Sequence, residues 1–265
     1  MSNSTPPVFM LTTPKNIIGN TAITSIAQLN TEGYKVYPFQ GVVRTTDRSK
    51  IVMDGWKKFF SMLKGNLPNG LLMAEDDLFW EEPWSKTKKK MKMDKINWLC
   101  YQKFFKEKQR DGSVKMIPVG NQFMYIPPKL IESYKEEILK AKSIHFDRWN
   151  SRLPNIYYAY KPHEVCAELT SPSATTGKVR KGILPEMLKN VGKTDEIRVK
   201  LPSTEPRKGF AIKKINGIPL LNQRDLLTKY MKTLDNLRKG KGKVKIKKTG
   251  KKLFKGGVDE FIQFV

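Results

Sequence analysis

The chain has few of the residues that staple a small fold or hold a metal through sulfur and nitrogen. Cys100 and Cys166 are its only cysteines, and His145 and His163 its only histidines. The two cysteines make no zinc spacing and no disulfide framework, so zinc modules and cystine-stapled scaffolds are excluded and a reducing compartment is expected. No apolar run approaches the roughly 20 residues that a membrane-spanning helix needs. The N-terminal stretch, Met-Ser-Asn-Ser-Thr-Pro-Pro, has neither the basic start nor the apolar middle of a secretory signal. A cytoplasmic protein is the expectation, in the host cytoplasm if the chain is viral. Acid is scarce too: 25 Asp and Glu stand against 50 Lys and Arg, for a net charge of +25.

What is present argues for a folded domain. The chain of 265 residues is 39% hydrophobic and 10% aromatic. That suffices for one core domain of about 180 residues with a smaller appendage. The positive charge is uneven. Residues 1–180 hold 28 Lys and Arg against 17 Asp and Glu, whereas residues 181–265 hold 22 against 8. The second stretch is therefore the more basic per residue, which suggests a polyanionic partner: nucleic acid first, an anionic membrane surface second. Lys heavily outnumbers Arg, the residue that base-reading sites favour, so a merely solubilising surface stays open.

The first part of the chain alternates strands and helices. Val8 to Thr12 reads as a strand, broken by Thr13-Pro14. Ile17, Ile18, Ala22, Ile23, Ile26 and Leu29 follow at helical spacing, and Gly33 ends that helix. Tyr34 to Phe39 is a second strand, which makes a strand–helix–strand unit with a parallel pair. Trp56, Phe59, Phe60 and Leu63 form one face of a second helix. Leu71 to Ala74 is then a short buried strand that runs straight into Glu75-Asp76-Asp77. Three adjacent acids repel one another and are stable together chiefly with a cation among them, as with a hard divalent ion bound to phosphate. A solvated acidic turn is the plainer reading, but the apolar flanks on both sides weigh against it.

Beyond the acids, residues 81–95 are lysine-rich and read as a loop or loose helix beside the acidic site. Trp98 to Phe105 fits a strand or an aromatic helix. Gln109 to Ser113 is a hairpin-like turn, Phe123 to Ile126 a strand, and Pro127-Pro128 opens a helix with Leu130, Ile131, Tyr134 and Ile138 inward. Tyr157 to Tyr160 is the last core strand, and the small residues 170–177 mark a domain edge. The expected division is 1–180 for the main α/β domain and 181–265 for a basic accessory region. Within the latter, Phe210 to Ile215, Asn216-Gly217, a helix over Gln223 to Leu237 and a strand over Gly242 to Ile246 resemble the second half of a PDZ domain. A small α/β module, or peripheral elements packed on the main domain, fit the same pattern.

The order of features in residues 8–165 resembles the glycosyltransferases of the GT-A fold, nearest to the lipooligosaccharide-type branch. The carriers are the Val8–Arg44 strand–helix–strand unit, the Trp56–Leu63 helix, Glu75-Asp76-Asp77 at a strand end, Gly120 to Ile126, and His145 to Asp147. The resemblance covers the larger part of the chain and leaves the basic C-terminal region outside it. It implies an α/β, Rossmann-like GT-A fold with a mostly parallel central sheet, a UDP-sugar as donor, and Mn2+ or Mg2+ as cofactor. It implies Asp77 as metal ligand with Glu75 toward the nucleotide or ribose, and leaves Asp76 between the two roles. His163 stands where such enzymes place a late metal-ligating histidine, with His145 as the alternative. Thr12, Thr13, Tyr37 and Arg44, at the ends of the first two strands, are expected to contact the donor.

The chemistry agrees with that set. A cation held by acids neutralises the charge that develops on a diphosphate leaving group. Inverting transfer needs a base within reach of the acceptor hydroxyl, and Asp147 is so placed; retaining transfer would give it no such role. Gly120, Asn121 and Gln122 suit a close backbone approach, and Arg148 and Trp149 could hold acceptor or donor. A basic sugar transferase suggests a polyanionic acceptor, with hydroxymethyl-pyrimidine in phage DNA as the first expectation. Lysines 86–95, with Lys88, Lys89 and Lys90 at their centre, and the 238–255 run would then track phosphates, and Trp80, Trp84 or Trp149 could stack on a flipped base. A surface-polysaccharide or lipopolysaccharide transferase at the membrane face is the second reading. A non-catalytic nucleic-acid-binding protein is the third.

Overall fold

In the computed structural model of the protein, the described residues are 4–12, 21–41, 50–143, 145–162, 164–168, 171–172, 179–180 and 214–220. The centre is a six-stranded sheet. Its strands are β1 (Val8–Thr12), β2 (Val36–Gln40), β3 (Leu71–Glu75), β5 (Ile96–Cys100), β8 (Phe123–Ile126) and β9 (Ile156–Tyr158). Across the sheet they lie in the order β2-β1-β3-β8-β5-β9. Five run in one direction, and β8 alone is antiparallel to its neighbours β3 and β5. This is the mixed α/β architecture with a mostly parallel sheet that the sequence predicts.

Apolar residues on successive positions of each strand feed two separate cores, as expected for a sheet buried on both faces. Phe9 and Leu11 of β1, and Leu71 and Met73 of β3, point to the same side as Met124 and Ile126 of β8. There they meet α2 (Ile51–Met62) through Trp56, Phe59 and Phe60, and α4 (Ile131–Lys140) through Tyr134 and Ile138. Val8, Met10, Leu72 and Ala74 point to the other side, where α1 (Thr21–Thr31) contributes Ala22, Ile26 and Leu29.

The segment after the acids decides between two pairs of alternatives. Residues 84–90 form the helix α3 (Trp84–Lys90), preceded by the short strand β4 (Leu78–Trp80). The ambiguous aromatic run splits into β5 and β6 (Lys103–Lys108). With β7 (Val114–Val119), β6 makes a two-stranded hairpin around Gln109–Ser113, where Asp111 Oδ1 accepts from the Ser113 N–H at 2.9 Å. Residues 146–150 form α5 (Phe146–Asn150).

Cys100 and Cys166 are joined in a disulfide, with Cα atoms 5.8 Å apart. The sequence hides this pairing because 66 residues separate the two. Space brings them together: β10 (Cys166–Glu168) pairs antiparallel with β4, which lays Cys166 opposite Trp80 near the end of β5. The cysteines therefore give no reason to place the chain in a reducing compartment. No helix among the described residues is long and apolar enough to cross a membrane.

Two small antiparallel pairs follow. The first joins β11 (Ser171–Pro172) to β12 (Val179–Arg180). The second, β13 (Lys214–Ile215) and β14 (Ile218–Pro219), turns at Asn216-Gly217 with φ of 50° and 83°. Both residues are left-handed, as a two-residue hairpin turn requires. This hairpin docks on the main sheet: Ile218 is fully buried in the core with Trp56 and Phe59, Lys64 N–H donates to the Asn216 carbonyl at 2.7 Å, and Leu220 bridges Phe39. A Cβ on Gly217 would lie 2.3 Å from the Met62 carbonyl, so only glycine fits there. The remainder of the PDZ-like stretch lies outside the described residues.

Candidate active site at the carboxyl edge of the sheet

From β1 the chain moves outward to β2, then returns to place β3 on the other side of β1. The carboxyl ends of β1 and β3 therefore flank a topological switch point, where open α/β sheets bind ligands. Thr12, the last residue of β1, and Asp76, just beyond β3, meet there. The Thr12 hydroxyl donates to Asp76 Oδ2 at 2.6 Å. Asp76 and Asp77 form a tight turn between β3 and β4, and the Ser25 hydroxyl holds that turn by donating to the carbonyls of Asp76 and Leu78 at 3.1 and 2.6 Å. Thr12, Asp76 and Asp77 are all more than nine-tenths buried, while Glu75 is half-buried. The acids are thus fixed parts of the sheet edge and not a solvated turn.

The start of the antiparallel strand completes this edge. Glu75 N–H donates to the Gln122 carbonyl at 2.9 Å, and Gln122 N–H donates to the Cys100 carbonyl at 3.1 Å. Gly120 N–H donates to Asp147 Oδ2 at 2.9 Å, so the half-buried acid of α5 is tied to the same loop. Gly120 has φ of 73°, which any other residue would adopt with strain. Asn121 and Gln122 are buried, and Asn121 Oδ1 and Gln122 Nε2 have no hydrogen-bond partner among the described residues. A buried polar atom without a partner costs about 1–3 kcal/mol, which a polar ligand group can relieve.

Thr12, Glu75, Asp76, Asp77, Gly120, Asn121, Gln122 and Asp147 are thus linked through one edge of the fold. Tyr37 lies apart from them, one residue into β2, with its ring 5.6 Å from Phe9. Thr13, Arg44 and His163 lie outside the described residues. Among the described residues no group of three or more His, Cys, Asp or Glu side chains could hold a metal by itself. A magnesium-type ion shared with substrate phosphates takes only one or two protein carboxylates. The Asp76-Asp77 turn can supply that number, so the residues fit an ion completed by a diphosphate and not a protein-only cage.

The acceptor residues need correction. Trp80 is fully buried, with its ring 5.0 Å from Phe123 and its indole N–H donating to the Glu82 carbonyl at 2.7 Å. Trp84 is buried against Tyr125 at 5.3 Å between ring centres. Neither can stack on a base. Trp149 is half-buried against Tyr134 and Phe146, and only Arg148 beside it is exposed.

The lysine segment lies beside the acids in sequence but docks elsewhere. Thr87 of α3 meets the Tyr34 hydroxyl at 3.0 Å, before the start of β2. Lys90 sits 3.6 Å from Glu82, 3.8 Å from Glu164 and 4.3 Å from the Tyr160 ring centre. The Lys92 backbone bonds the Asn97 side chain at 2.9 Å, and Lys95 reaches Asn155 at 3.4 Å; both contacts are at the amino ends of β5 and β9. Glu82 is the hub of this region, taking the Tyr160 hydroxyl as well as Lys90. Burial pushes the Tyr34 hydroxyl up to about 12 and raises Tyr160 further.

A basic element on the acids' own edge, among the described residues, is the β6–β7 hairpin, which leaves the carboxyl end of β5 and returns through Gly120 to β8. The turn at Gln109–Ser113 is legible in the sequence but the hairpin's location is not, because Trp98 to Phe105 fits strand or helix.

No protein-family model and no curated protein matches the chain. Among solved structures, HddC from Yersinia pseudotuberculosis is similar over 58% of this chain and 90% of its own, at 8% identity and a TM-score of 0.34. The same protein complexed with GMP-PN gives 11% identity and a TM-score of 0.33, at the same coverage. A glycosyltransferase involved in the glycosylation of the major capsid of PBCV-1 is similar over 58% of this chain and 81% of its own, at 14% identity and a TM-score of 0.32. Likeness this slight argues for neither the fold nor the activity of this chain.

Proposed function

We propose that the protein transfers a sugar from a nucleotide-sugar donor, UDP-linked, to an acceptor hydroxyl. The observation that carries this reading is the edge at the switch point, where buried Asp76 and Asp77 adjoin Thr12 and the loop whose two amide atoms have no partner among the described residues. Asp77 and the donor diphosphate would share Mn2+ or Mg2+, which would supply charge neutralisation at the leaving group. Thr12 fixes the orientation of Asp76, and Glu75, the most exposed of the three acids, would contact the nucleotide or ribose. Asp147 would take the acceptor proton in an inverting transfer, with the Gly120 N–H holding its carboxylate in place.

An acceptor at an anionic membrane face, as in surface-polysaccharide or lipopolysaccharide synthesis, has more support than DNA. Two of the three tryptophans that would stack on a flipped base, Trp80 and Trp84, are in the core, and the lysine helix docks away from the acids. The test is release of UDP from labelled UDP-sugars with Mn2+, followed by label transfer to lipid-linked glycan, hydroxymethylated DNA or plain DNA. Wild-type turnover should fall by about 100-fold or more in Asp77→Asn. Equal turnover in that variant would remove the reading, and label on hydroxymethylated DNA alone would restore the DNA acceptor.

A further inference from the structure

The β6–β7 hairpin carries three of the five exposed large apolar side chains among the described residues: Phe105 at 55%, Val114 at 56% and Met116 at 44%. The same hairpin bears Lys103, Lys106, Lys108, Arg110 and Lys115, against only Glu107 and Asp111. Glu107 is engaged by Arg152 at 3.1 Å, which leaves the outward charge more positive still.

Register arranges these groups. Lys106 pairs with Met116 and Lys108 with Val114, so each exposed aliphatic side chain has a lysine directly across the strand on the same face. Nearer the base, Phe104 packs on Tyr101 and Tyr158 at 5.2 Å each, and Ile117 is buried. The hairpin is therefore anchored at its root, and the outer half of the face bearing Met116 and Val114 is exposed. Among the described residues, β6 and β7 pair only with each other.

We infer that this outer face docks on an anionic lipid bilayer. Apolar side chains flanked by lysines match the lipid interface, where the apolar part enters the acyl boundary and the amines reach the phosphates. A single-stranded nucleic acid would instead call for aromatic stacking platforms; the exposed Phe105 ring pairs with Ile117 on the opposite face of the hairpin, and Val114 and Met116 offer none. The hairpin root is joined through Gly120 to Asp147, so docking would bring the acids to the membrane surface. The inference deepens the membrane-face reading of the acceptor, yet it is tested without any sugar chemistry.

The full chain is mixed with phosphatidylcholine vesicles with and without phosphatidylserine, and bound protein is measured by cosedimentation. Binding should require phosphatidylserine and weaken with salt. The double variant Val114→Ser/Met116→Ser leaves the net charge unchanged, so the basic 181–265 region cannot account for its effect. It should bind about tenfold more weakly, as expected for losing part of two apolar contacts. Unchanged vesicle binding in that variant overturns the inference. So does a wild-type chain that ignores phosphatidylserine vesicles but shifts duplex DNA. Circular dichroism and UDP release, unchanged in the variant, exclude misfolding as the cause. A chain that binds vesicles through the hairpin but releases no UDP would keep this inference and remove the sugar-transfer reading.

Discussion

Two lysine-bearing segments leave the central sheet, and they use their charge in opposite ways. The helix α3 follows the acids closely in sequence yet turns its anchors inward: Trp84 onto Tyr125, Thr87 onto Tyr34, Lys90 onto Glu82 and Glu164. The β6–β7 hairpin begins well after the acids in sequence and stands on their edge, with Lys106 and Lys108 beside the exposed Met116 and Val114. Nearness in sequence and nearness in space disagree because β4 carries the chain away from the switch point, whereas β5 brings it back. A lysine run is thus informative about partners only once the direction of the flanking strands is known.

The sharpest way to break this contrast is at Trp84. If α3 is a structural element, Trp84→Ala leaves a large cavity against Tyr125 and should cost about 3–5 kcal/mol in chemical denaturation. A variant that kept full stability and lost only acceptor binding would return α3 to the functional surface. Next in size is the disulfide. Cys166→Ala, or reduction of the wild type, should cost about 2–4 kcal/mol through the freed loop. Unchanged unfolding midpoints with and without reductant would show that the cystine contributes nothing to holding β10 against β5.

On the hairpin side, Gly120→Ala forces a side chain into φ of 73° and brings Cβ within 2.6 Å of the Gln102 side chain. The expected loss is about 1–2 kcal/mol. Turnover should fall further than stability, because the Gly120 N–H orients Asp147; a proportionate fall in both would reduce Asp147 to a structural role.

How much of this was legible follows from the same geometry. In β2-β1-β3 every strand is a short apolar run with a helix between it and the next, so Val8–Thr12 and the run into Glu75 could be read residue by residue. The acids were found because charge abruptly follows a buried strand. In β8-β5-β9 the directions are mixed and a hairpin is inserted between neighbours. Trp98 and Leu99 fit helix or strand equally well, and only the pairing of β5 with β8 decides. The Cys100–Cys166 bond and the burial of Trp80 both depend on β4 meeting β10, a contact between distant parts of the chain that no local pattern reports. The Gly120–Asp147 bond belongs to the same class, since each residue was picked out singly but nothing local joined them.

Alkaline titration probes the anchoring of α3 more gently. Burial holds the Tyr34 and Tyr125 hydroxyls near 12, above their ordinary value near 10, and raises Tyr160 as well. In the unfolded chain these groups lose their protons near pH 10, while the folded chain retains them. The neutral forms therefore contribute full stability below pH 10, and that contribution is lost as pH rises toward 12. Absorbance at the tyrosinate band should show these tyrosines ionising late and together with unfolding. Simple titration near 10 in a chain that stays folded would mean that the Tyr34–Thr87 contact is open to solvent.

The smallest expected effect is the most pointed. Lys88→Glu/Lys89→Glu reverses two charges on α3 and leaves Lys90 with its partners. On the structural account of α3 it should change stability by no more than about 0.5 kcal/mol and leave vesicle binding almost untouched. Lys106→Glu/Lys108→Glu carries the same change in net charge but places it on the acids' edge. The two variants are equal for any account in which the +25 chain attracts anions by overall charge alone. If both weaken binding alike, charge is acting at a distance and the hairpin has no special standing. If only the hairpin pair does so, position on the sheet, and not the number of lysines, determines where the polyanionic surface is met.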